Sequence, residues 1–329
     1  MKTHWPYLDL HCDTLSHAFF RGEQSVSDLP SAMADVKKLS AGGCAGQLFA
    51  IFLPTFTGGE PEAPLYPGDE AYIRALKDIY DRTLEENQEI LGKTESLADF
   101  LRNRNEGKIS AVLSMEDGRA AEGRPENLER FYTMGVRVLG LLWNAPNCFG
   151  YPNSPDPEIM GRGLTDFGKE AVSILEGLGI GIDVSHLSDG GFWDVAELAR
   201  KPFFATHSNC RALNPHPRSM TDEMIRALAD HGGVMGVNFY GAFLHADVSR
   251  LDSTMDGIAR QLRHRINAGG LECAAIGTDF DGIHGELEIP DASRMPELFE
   301  ALADRGFTDD ELEHITHLNA ERVLRDILR

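Results

Sequence analysis

The sequence predicts a closed barrel of eight parallel β-strands, each followed by an α-helix, which is the α/β architecture called a (β/α)8 or TIM-type barrel. Short apolar runs alternate with longer segments of helical periodicity eight times along the chain. The apolar runs are nearly continuous, which is typical of parallel strands buried on both faces. No change of composition within the 329 residues marks a domain boundary. We therefore expect a single domain over residues 1–329.

The predicted strands are short apolar runs, most of which end in a polar residue. They cover residues 7–13, 45–53, 109–116, 136–143, 180–186, 203–207, 234–240 and 274–279. The predicted helices are amphipathic segments, and several begin at a residue suited to cap a helix, such as Thr165 or Thr221. They cover residues 28–39, 69–90, 96–105, 125–134, 166–178, 189–199, 221–230 and 253–268.

Two segments lie outside this alternation of strand and helix. Residues 295–305 and 309–328 predict a C-terminal helical extension, and we expect residues 293–329 to pack on the barrel. Residues 54–68 follow the second strand, lack periodicity and are interrupted by prolines. This loop is a candidate lid over the mouth of the barrel.

Charge and composition narrow the function classes. The formal net charge is −21, which disfavours nucleic acid and anionic membrane as partners because both need a basic face. The chain has no apolar run near 18 residues and no apolar signal region after Met1, so we expect a cytoplasmic protein. Its five cysteines are odd in number and lack a Cys-x-x-Cys spacing, which argues against a disulfide framework. The remaining function class is chemistry on a small soluble substrate. The composition does not decide whether the protein forms a homodimer.

Candidate metal ligands gather at the predicted strand ends. His11 and Asp13 are two residues apart, so a strand would present both side chains on one face. Further ligand-type residues end later strands, namely Glu116, His186, His207 and Asp279. In this fold the carboxyl ends of the strands meet at one rim, where active sites form. A lone histidine at a strand end is usually structural, but the agreement of five strand ends predicts a metal site with room for two ions.

These residues resemble the membrane (renal) dipeptidase family of zinc metallopeptidases, which belongs to the metal-dependent hydrolases built on an amidohydrolase-type barrel. The resemblance runs from Leu8 to Leu324, essentially the whole chain. Its motifs are DLHCD at 9–13, MEDG at 115–118, GIDVSH at 181–186, THSN at 206–209, HPR at 216–218, NFY at 238–240, GTDFDG at 277–282 and NAERVL at 319–324.

The resemblance implies a role for each matching residue. It makes His11 and Asp13 ligands of one zinc ion, His186 and His207 ligands of a second, and Glu116 the bridge between them. It makes Arg218 the clamp for the terminal carboxylate of a dipeptide. It makes Asp279 the residue that handles protons.

The implied chemistry is a zinc-dependent hydrolysis of dipeptides, including those of the L-Xaa-D-Xaa type, by a metal-activated hydroxide. Two zinc ions that share a water lower its pKa and polarise the scissile carbonyl. The planar guanidinium of Arg218 matches a carboxylate bidentately, although a surface arginine is the plain alternative. An ionised Asp279 can take the proton of the water and return it to the leaving amine, and Asp281 is its rival for this role.

One position departs from the family pattern. Where mammalian members carry a histidine thought to contact the scissile carbonyl, this chain has Trp143 followed by Asn144. Either Asn144 or Asn147 replaces that donor, or the substrate range is narrower. Tyr240 is a candidate wall of the substrate pocket, with packing as an equal alternative. His17 is the strongest candidate among the other histidines, most of which we expect at the surface or in packing contacts.

Two other functions are compatible with these residues. The same metal cage can serve a different hydrolase, such as an N-acyl amino acid deacylase, a lactonase or a phosphotriesterase-like enzyme, because fold and metals do not define the substrate. If Arg218 binds a substrate carboxylate, dipeptides or N-acyl amino acids are favoured over phosphotriesters as substrates. A catalytically silent binding protein is disfavoured by the complete ligand set.

Overall fold

The computed structural model describes residues 5–56 and 60–329. Within them nine strands form one parallel sheet that closes on itself. The strands are β1 Tyr7–Cys12, β2 Cys44–Phe52, β3 Leu91–Lys93, β4 Ile109–Glu116, β5 Val136–Gly140, β6 Gly181–Asp183, β7 Phe204–Ala205, β8 Val234–Val237 and β9 Ala274–Ile276.

The barrel is built from eight of these strands, in the order β1-β2-β4-β5-β6-β7-β8-β9. The pairing of Asp9 with Ile276 joins β1 to β9 and closes the ring. The extra strand β3 pairs with the first half of β4, while β5 pairs with the second half. The predicted (β/α)8 barrel is confirmed, and β3 is an addition that the sequence pattern did not indicate.

The helices surround this barrel and follow the strands as predicted. They are α1 Thr14–Phe20, α2 Val36–Ala41, α3 Asp69–Glu86, α4 Leu97–Glu106, α5 Pro125–Met134, α6 Pro157–Met160, α7 Asp166–Leu178, α8 Asp189–Leu198, α9 Asp222–Asp230, α10 Gly241–Leu244, α11 Met255–Gly269, α12 Met295–Asp304, α13 Asp309–Glu313 and α14 Asn319–Ile327. Thr165 caps α7 and Thr221 caps α9 through their side chains, as expected. A π-helical turn, His314–Leu318, connects α13 to α14.

The predicted helix at residues 28–39 is wrong in its first part, because only Val36–Ala41 is helical. Asp35 caps that helix by accepting a hydrogen bond from the backbone of Lys38 at 2.8 Å. The backbone amides of Met33 and Ala34 donate to the carboxylate of Asp281 instead of entering a helix. A side chain distant in sequence has therefore taken the donors that a longer helix would need.

Several strands end earlier than predicted, because side chains replace the ladder near the rim. The carboxylate of Asp183 accepts hydrogen bonds from the backbone amides of Ser185 and Thr206. Asp9 accepts in the same way from the backbone amide of Thr278, at 2.8 Å. The backbone beyond β6, β7 and β9 is thus free to turn while its polar groups stay satisfied.

One apolar cluster shows that the barrel interior is a packed core. It joins residues of strands on opposite sides of the ring, such as Leu48 of β2 and Phe204 of β7. Val323, Leu324 and Ile327 of α14 belong to the same cluster. The terminal helix therefore covers one end of the barrel, and the polar strand ends lie at the other.

Candidate active site

The six predicted strand-end residues converge at the carboxyl ends of the strands. His11 lies in β1 and Glu116 ends β4, whereas Asp13, His186, His207 and Asp279 follow one to three residues after their strands. Their ligand atoms form three overlapping groups, within each of which all atoms lie within 4.8 Å of one another. These groups are His11, Asp13 and Glu116; Glu116, His186 and His207; and His11, His207 and Asp279.

Glu116 lies at the centre of this cluster, and its two oxygens face different partners. Its Oε2 is 3.4 Å from Nε2 of His11. Its Oε1 is 2.9 Å from Nε2 of His186 and 3.4 Å from Nε2 of His207. The Nε2 of His11 is also 3.6 Å from Asp13 and 3.8 Å from Asp279. One carboxylate therefore connects two sets of ligand-type atoms.

The backbone at this rim is strained. His186, Asp279 and Asp281 have positive φ angles of 69°, 64° and 68°, and Asp117, directly after Glu116, has 73°. Residues with a side chain rarely adopt this conformation, which costs about 1–3 kcal/mol each and is found mainly at functional sites. Two of these four residues, His186 and Asp279, belong to the cluster of possible ligands.

Burial shifts the pKa values of the clustered carboxylates. Removal from water raises the pKa of Asp13 to about 6 and that of Asp279 to about 7. Burial acts on Glu116 in the same direction, but the nearby His11 outweighs it and holds the pKa of Glu116 well below its usual range. Burial lowers the pKa of His186 to about 4, and that of His207 lies well below its usual range for the same reason. The last two imidazoles are therefore neutral.

Hydrogen bonds define the tautomers of these two neutral imidazoles. The Thr206 hydroxyl donates its one hydrogen to Asp183 at 2.5 Å, so it accepts from Nδ1 of His207 at 2.8 Å. The amide oxygen of Asn144 accepts from Nδ1 of His186 at 3.2 Å. Each imidazole thus carries its proton on Nδ1 and presents the lone pair of Nε2 to the cluster.

The cluster has the chemistry of a metal site. The Nε2 atoms of His186 and His207 lie 3.0 Å apart, and with a lone pair on each atom no hydrogen bond joins them. Nε2 of His11 and Oδ1 of Asp13 are buried without a hydrogen-bond partner. The lone pairs of His186 and His207 face the Glu116 carboxylate in a buried site, where a cation would satisfy both, and nitrogen with carboxylate oxygen is a typical donor set for zinc. The residues present therefore fit a bound metal.

Three polar residues behind the ligands lie within the sequence motifs but were assigned no role from the sequence. Asp183 and Thr206 orient His207 as described, and Asn238 donates to Oδ2 of Asp279 at 2.7 Å. Such outer partners fix the tautomer and orientation of metal ligands. Asp183 could have been noticed as a carboxylate inside an apolar run, and Asn238 as the first residue of the NFY motif.

Arg218 lies behind His207 and is only 6% exposed. Its guanidinium donates to the hydroxyl of Ser208 at 2.7 Å and to the carbonyl of His207 at 2.8 Å. Its Nε is buried without a partner, and no carboxylate of residues 5–56 or 60–329 forms an ion pair with it. Arg218 thus lies next to the ligands with a donor left over, but it is not among the residues that line the cavity above them.

A cavity of about 570 Å³ opens above the ligands, within the range of small-molecule sites. Trp143 and Tyr240, both predicted at the substrate pocket, line it, as does His17. Asn144 does not line it and instead contacts His186. The side-chain amide of Asn147 is not available for the predicted contact with the substrate, because it donates to Asp117 and to the carbonyl of Leu141.

Asp281 lines the same cavity, but its carboxylate is occupied. It accepts from the Thr14 hydroxyl at 2.5 Å and from the backbone amide of Met33 at 2.7 Å. Its side chain is 1% exposed, and Nδ1 of His17 lies 3.7 Å away. In contrast, Oδ1 of Asp279 faces His11 and the ligand cluster.

A barrel with three histidines, two of them neutral, and buried carboxylates at its carboxyl rim is typical of a metal-dependent hydrolase. A family model described as membrane dipeptidase (peptidase family M19) matches residues 1–328. The chain therefore belongs to the membrane dipeptidase family M19 and is a metal-dependent dipeptidase.

Individual relatives agree with this family. An uncharacterized Klebsiella pneumoniae protein from the pqqA 5′ region is 39% identical over 239 residues, which cover 70% of this chain and 87% of that one. The dipeptidase ataJ of Aspergillus terreus is 26% identical and covers 92% of this chain and 78% of its own length.

Two solved structures match nearly the whole barrel. The crystal structure of dipeptidase AC, a metallopeptidase of family M19, is 27% identical with a TM-score of 0.88 over 98% of this chain and 99% of that one. A Rhodobacter sphaeroides metallopeptidase, solved with a phosphinate mimic of the dipeptide L-Ala-D-Ala, is 26% identical with a TM-score of 0.88 and the same coverage.

Proposed function

We propose that this dipeptidase uses two zinc ions, one held by His11 and Asp13 and the other by His186 and His207, with Glu116 as the bridge. The observation that carries this assignment is the division of the Glu116 carboxylate. Its Oε2 faces His11, while its Oε1 faces both of the other histidines. When bound, zinc supplies a Lewis acid that polarises the scissile carbonyl and lowers the pKa of water toward neutrality.

Asp279 moves the proton in this proposal. Asn238 holds its Oδ2, which leaves Oδ1 directed at the cluster and able to accept a proton from the attacking water. The same carboxyl then returns the proton to the leaving amine. Because Asp279 also forms a possible ligand group with His11 and His207, metal analysis of an Asp279 variant must separate proton transfer from ligation.

In this proposal, Arg218 binds the free carboxylate of the dipeptide. Its guanidinium is buried beside the ligands, and among the described residues its Nε has no hydrogen-bond partner and no carboxylate pairs with it. A substrate carboxylate would supply the missing charge with a bidentate contact. Trp143 and Tyr240 form part of the walls around the substrate.

The substrates we propose are dipeptides, including the L-Xaa-D-Xaa type. The Rhodobacter sphaeroides relative supports the latter, since it was solved with a mimic of L-Ala-D-Ala. The net charge of −21 supports a protein that acts away from nucleic acid and membranes, and we propose a cytoplasmic location. No helix in the described part of the chain is long and apolar enough to cross a membrane.

The test combines metal analysis with turnover. The purified protein is expected to hold close to two zinc ions per chain and to hydrolyse dipeptides faster than N-acyl amino acids or lactones. Glu116→Gln should lose both metal and activity, because the bridge is removed. Glu321→Gln is the matched control, since this buried glutamate pairs with Arg104 and Arg325 instead of the ligands. One ion in the active enzyme, or full activity of Glu116→Gln, would contradict the two-zinc proposal.

Arg218 is tested with an amidated substrate. Arg218→Met and amidation of the dipeptide each remove the same charge-assisted contact, worth about 1.5–3 kcal/mol per bond. The two losses in kcat/KM should therefore not add. Additive losses would show that Arg218 reads another part of the substrate.

A further inference from the structure

Four aromatic side chains line one side of the active-site cavity, and the mechanism above uses only one of them. Phe20 comes from α1, Phe52 from the end of β2, Phe56 from the loop after β2, and Trp143 from the segment after β5. The rings of Phe52 and Trp143 are 4.7 Å apart in an edge-to-face contact, and those of Phe20 and Phe56 are 6.4 Å apart in the same geometry. All four are only partly buried, so they present apolar surface to the cavity.

The loop that carries Phe56 is fastened to the barrel by Arg119. This arginine lies in the short helical turn Gly118–Ala121, just after Glu116. At the start of the loop its guanidinium donates to the carbonyls of Leu53, at 2.7 Å, and Pro54, at 2.9 Å. One side chain therefore holds the first residues of the loop against the end of β4.

Arg119 also holds the other end of the same loop. It binds the carboxylate of Asp69, the first residue of α3, bidentately at 2.8 and 2.9 Å, and donates to the Tyr66 hydroxyl at 3.1 Å. Asp117 completes its ion pairs at 2.9 Å. The Arg119 side chain is 22% exposed, so this network is largely shielded from water. Such a bidentate, partly buried arginine orders the chain segments that it joins.

We call the side chains of Phe20, Phe52, Phe56 and Trp143 the aromatic wall. The topology of the barrel indicates which part of a dipeptide contacts this wall. Arg218 donates to the carbonyl of His207, just after β7, so a carboxylate bound by it lies on the β7 side. In the ring of eight strands β7 is four places from β2 and therefore opposite Phe52. A dipeptide that spans the ligand cluster from Arg218 consequently directs its amino-terminal residue toward β2.

We propose that Phe20, Phe52, Phe56 and Trp143 form a preformed apolar subsite for the side chain of the amino-terminal residue, and that Arg119 positions this wall by fastening the loop after β2. The enzyme then prefers dipeptides with a large apolar or aromatic first residue. This inference rests on the proposed role of Arg218 in placing the substrate. Arg119 acts through Phe56 and is a positioning residue.

The subsite is tested with a dipeptide panel on the zinc-loaded enzyme. The kcat/KM of Phe-Ala should exceed that of Ala-Ala by about tenfold or more, since even one methylene in a hydrophobic pocket contributes about tenfold. Ala-Phe should stay within about threefold of Ala-Ala, because the wall faces the first residue. Phe56→Ala and Phe52→Ala should each reduce the ratio of Phe-Ala to Ala-Ala, mainly through the KM for Phe-Ala.

The role of Arg119 is tested by a double-mutant cycle. Arg119→Met should reduce the same ratio, and the double variant with Phe56→Ala should show no further loss, since both changes remove one wall. Arg119→Lys should recover the ratio only partly, because an ammonium group lacks the planar fork. Arg263→Met is the matched control, as this arginine is paired with Glu311 on outer helices and should leave the ratio unchanged.

The outcomes separate this inference from the proposed function. Failure of the zinc-loaded enzyme to hydrolyse any dipeptide of the panel would overturn the function. Hydrolysis without a preference at the first residue, or a preference that survives Phe56→Ala and Phe52→Ala, would overturn the subsite alone. Additive effects of Arg119→Met and Phe56→Ala would overturn the positioning role. The Phe variants keep the subsite testable if Arg119→Met does not fold.

Discussion

Gly282 is a residue whose small size the active site requires. A Cβ at this position would overlap Oδ2 of Asp13 and lie 2.5 Å from Oδ1 of Asp279. Neither carboxylate can retreat freely, because both are buried in the cluster. The sequence motif contains this glycine, but only the three-dimensional contact shows why a side chain is excluded.

We expect Gly282→Ala to reduce kcat/KM by at least about 100-fold, the scale for displaced catalytic groups, while the fold persists. Metal content should fall as well, since Asp13 must move. Gly177→Ala is the control: an added Cβ meets nothing within 4 Å on this exposed helical residue, and alanine favours helices by about 0.8–1 kcal/mol. Measured turnover, metal content and melting temperature distinguish the two variants. A fully active Gly282→Ala would contradict this account.

Asp279 and Asp281 are two residues apart and differ in their surroundings. Asp279→Asn should lower kcat by roughly 10²–10⁴-fold with metal content nearly unchanged, because it removes the basic carboxylate. Asp281→Asn should mainly lower the free energy of unfolding, by about 1–3 kcal/mol, since its carboxylate holds Thr14 and the backbone of Met33. Kinetics, metal analysis and denaturant unfolding of both variants provide the test. Loss of metal from Asp279→Asn would make Asp279 a ligand instead.

At the scale of the element, strand ends are shaped by side chains that replace the ladder. Asp183, the last residue of β6, binds the backbone of Thr206 and its hydroxyl, and that hydroxyl in turn orients His207. A contact between neighbouring strands thereby sets the tautomer of a predicted ligand. Hydrophobic periodicity indicates where these strands run, but it cannot show where the ladder gives way to such contacts.

Thr206→Val is expected to weaken metal binding by about 10–100-fold, the usual effect of losing an outer partner of a ligand. Valine keeps the shape of threonine but removes the hydroxyl, so Nδ1 of His207 loses its acceptor. Thr206→Ser, which keeps the hydroxyl, should bind metal nearly as the wild type. Competition titrations with a zinc chelator measure the difference. Equal affinity of all three proteins would mean that the hydroxyl does not orient His207.

The predicted helix at residues 28–39 also shows that a local sequence pattern cannot predict long-range contacts. Its pattern is helical, yet the amides of Met33 and Ala34 bind Asp281, about 250 residues later in the chain. A contact of this separation overrides a local propensity that is worth less than 1 kcal/mol per residue. The capped helices α7 and α9, whose start signals are local, agree with the prediction.

At the scale of the whole molecule, the metal site concentrates buried negative charge in an already acidic protein. Asp13, Glu116 and Asp279 lie together, and the chain carries a net charge of −21. Removing the metal leaves these carboxylates uncompensated. We expect chelation to lower the melting temperature by several degrees, because a ligand present at 1,000 times its Kd stabilises the fold by about 4 kcal/mol.

Calorimetry of the protein before and after chelation, and after zinc is returned, measures this effect. Zinc should restore the melting temperature, whereas magnesium should not, because histidine ligands suit zinc and not a hard oxygen-seeking ion. Glu116→Gln serves as the comparison and should show little response to chelation. An unchanged melting temperature in the chelated wild type would contradict a metal-stabilised rim.

Sequence alone was sufficient for the barrel, for the family and for the residue types of the metal site. Apolar runs of strand length, separated by capped amphipathic helices, allow few other folds, and a parallel barrel brings every strand end to one rim. His11, Asp13, Glu116, His186, His207 and Asp279 were therefore predictable as a group, and the structure brings them together.

Only the tertiary structure decided how these residues act on one another. The tautomer of His207 depends on Asp183 and Thr206, the free oxygen of Asp279 depends on Asn238, and the aromatic wall depends on the contacts of Arg119. Each of these contacts joins segments that are distant in the chain, with distances and burial that periodicity does not encode. The sequence by itself thus determined which groups reach the rim, because strand ends are a local property, while their protonation and spacing follow from packing across the closed barrel.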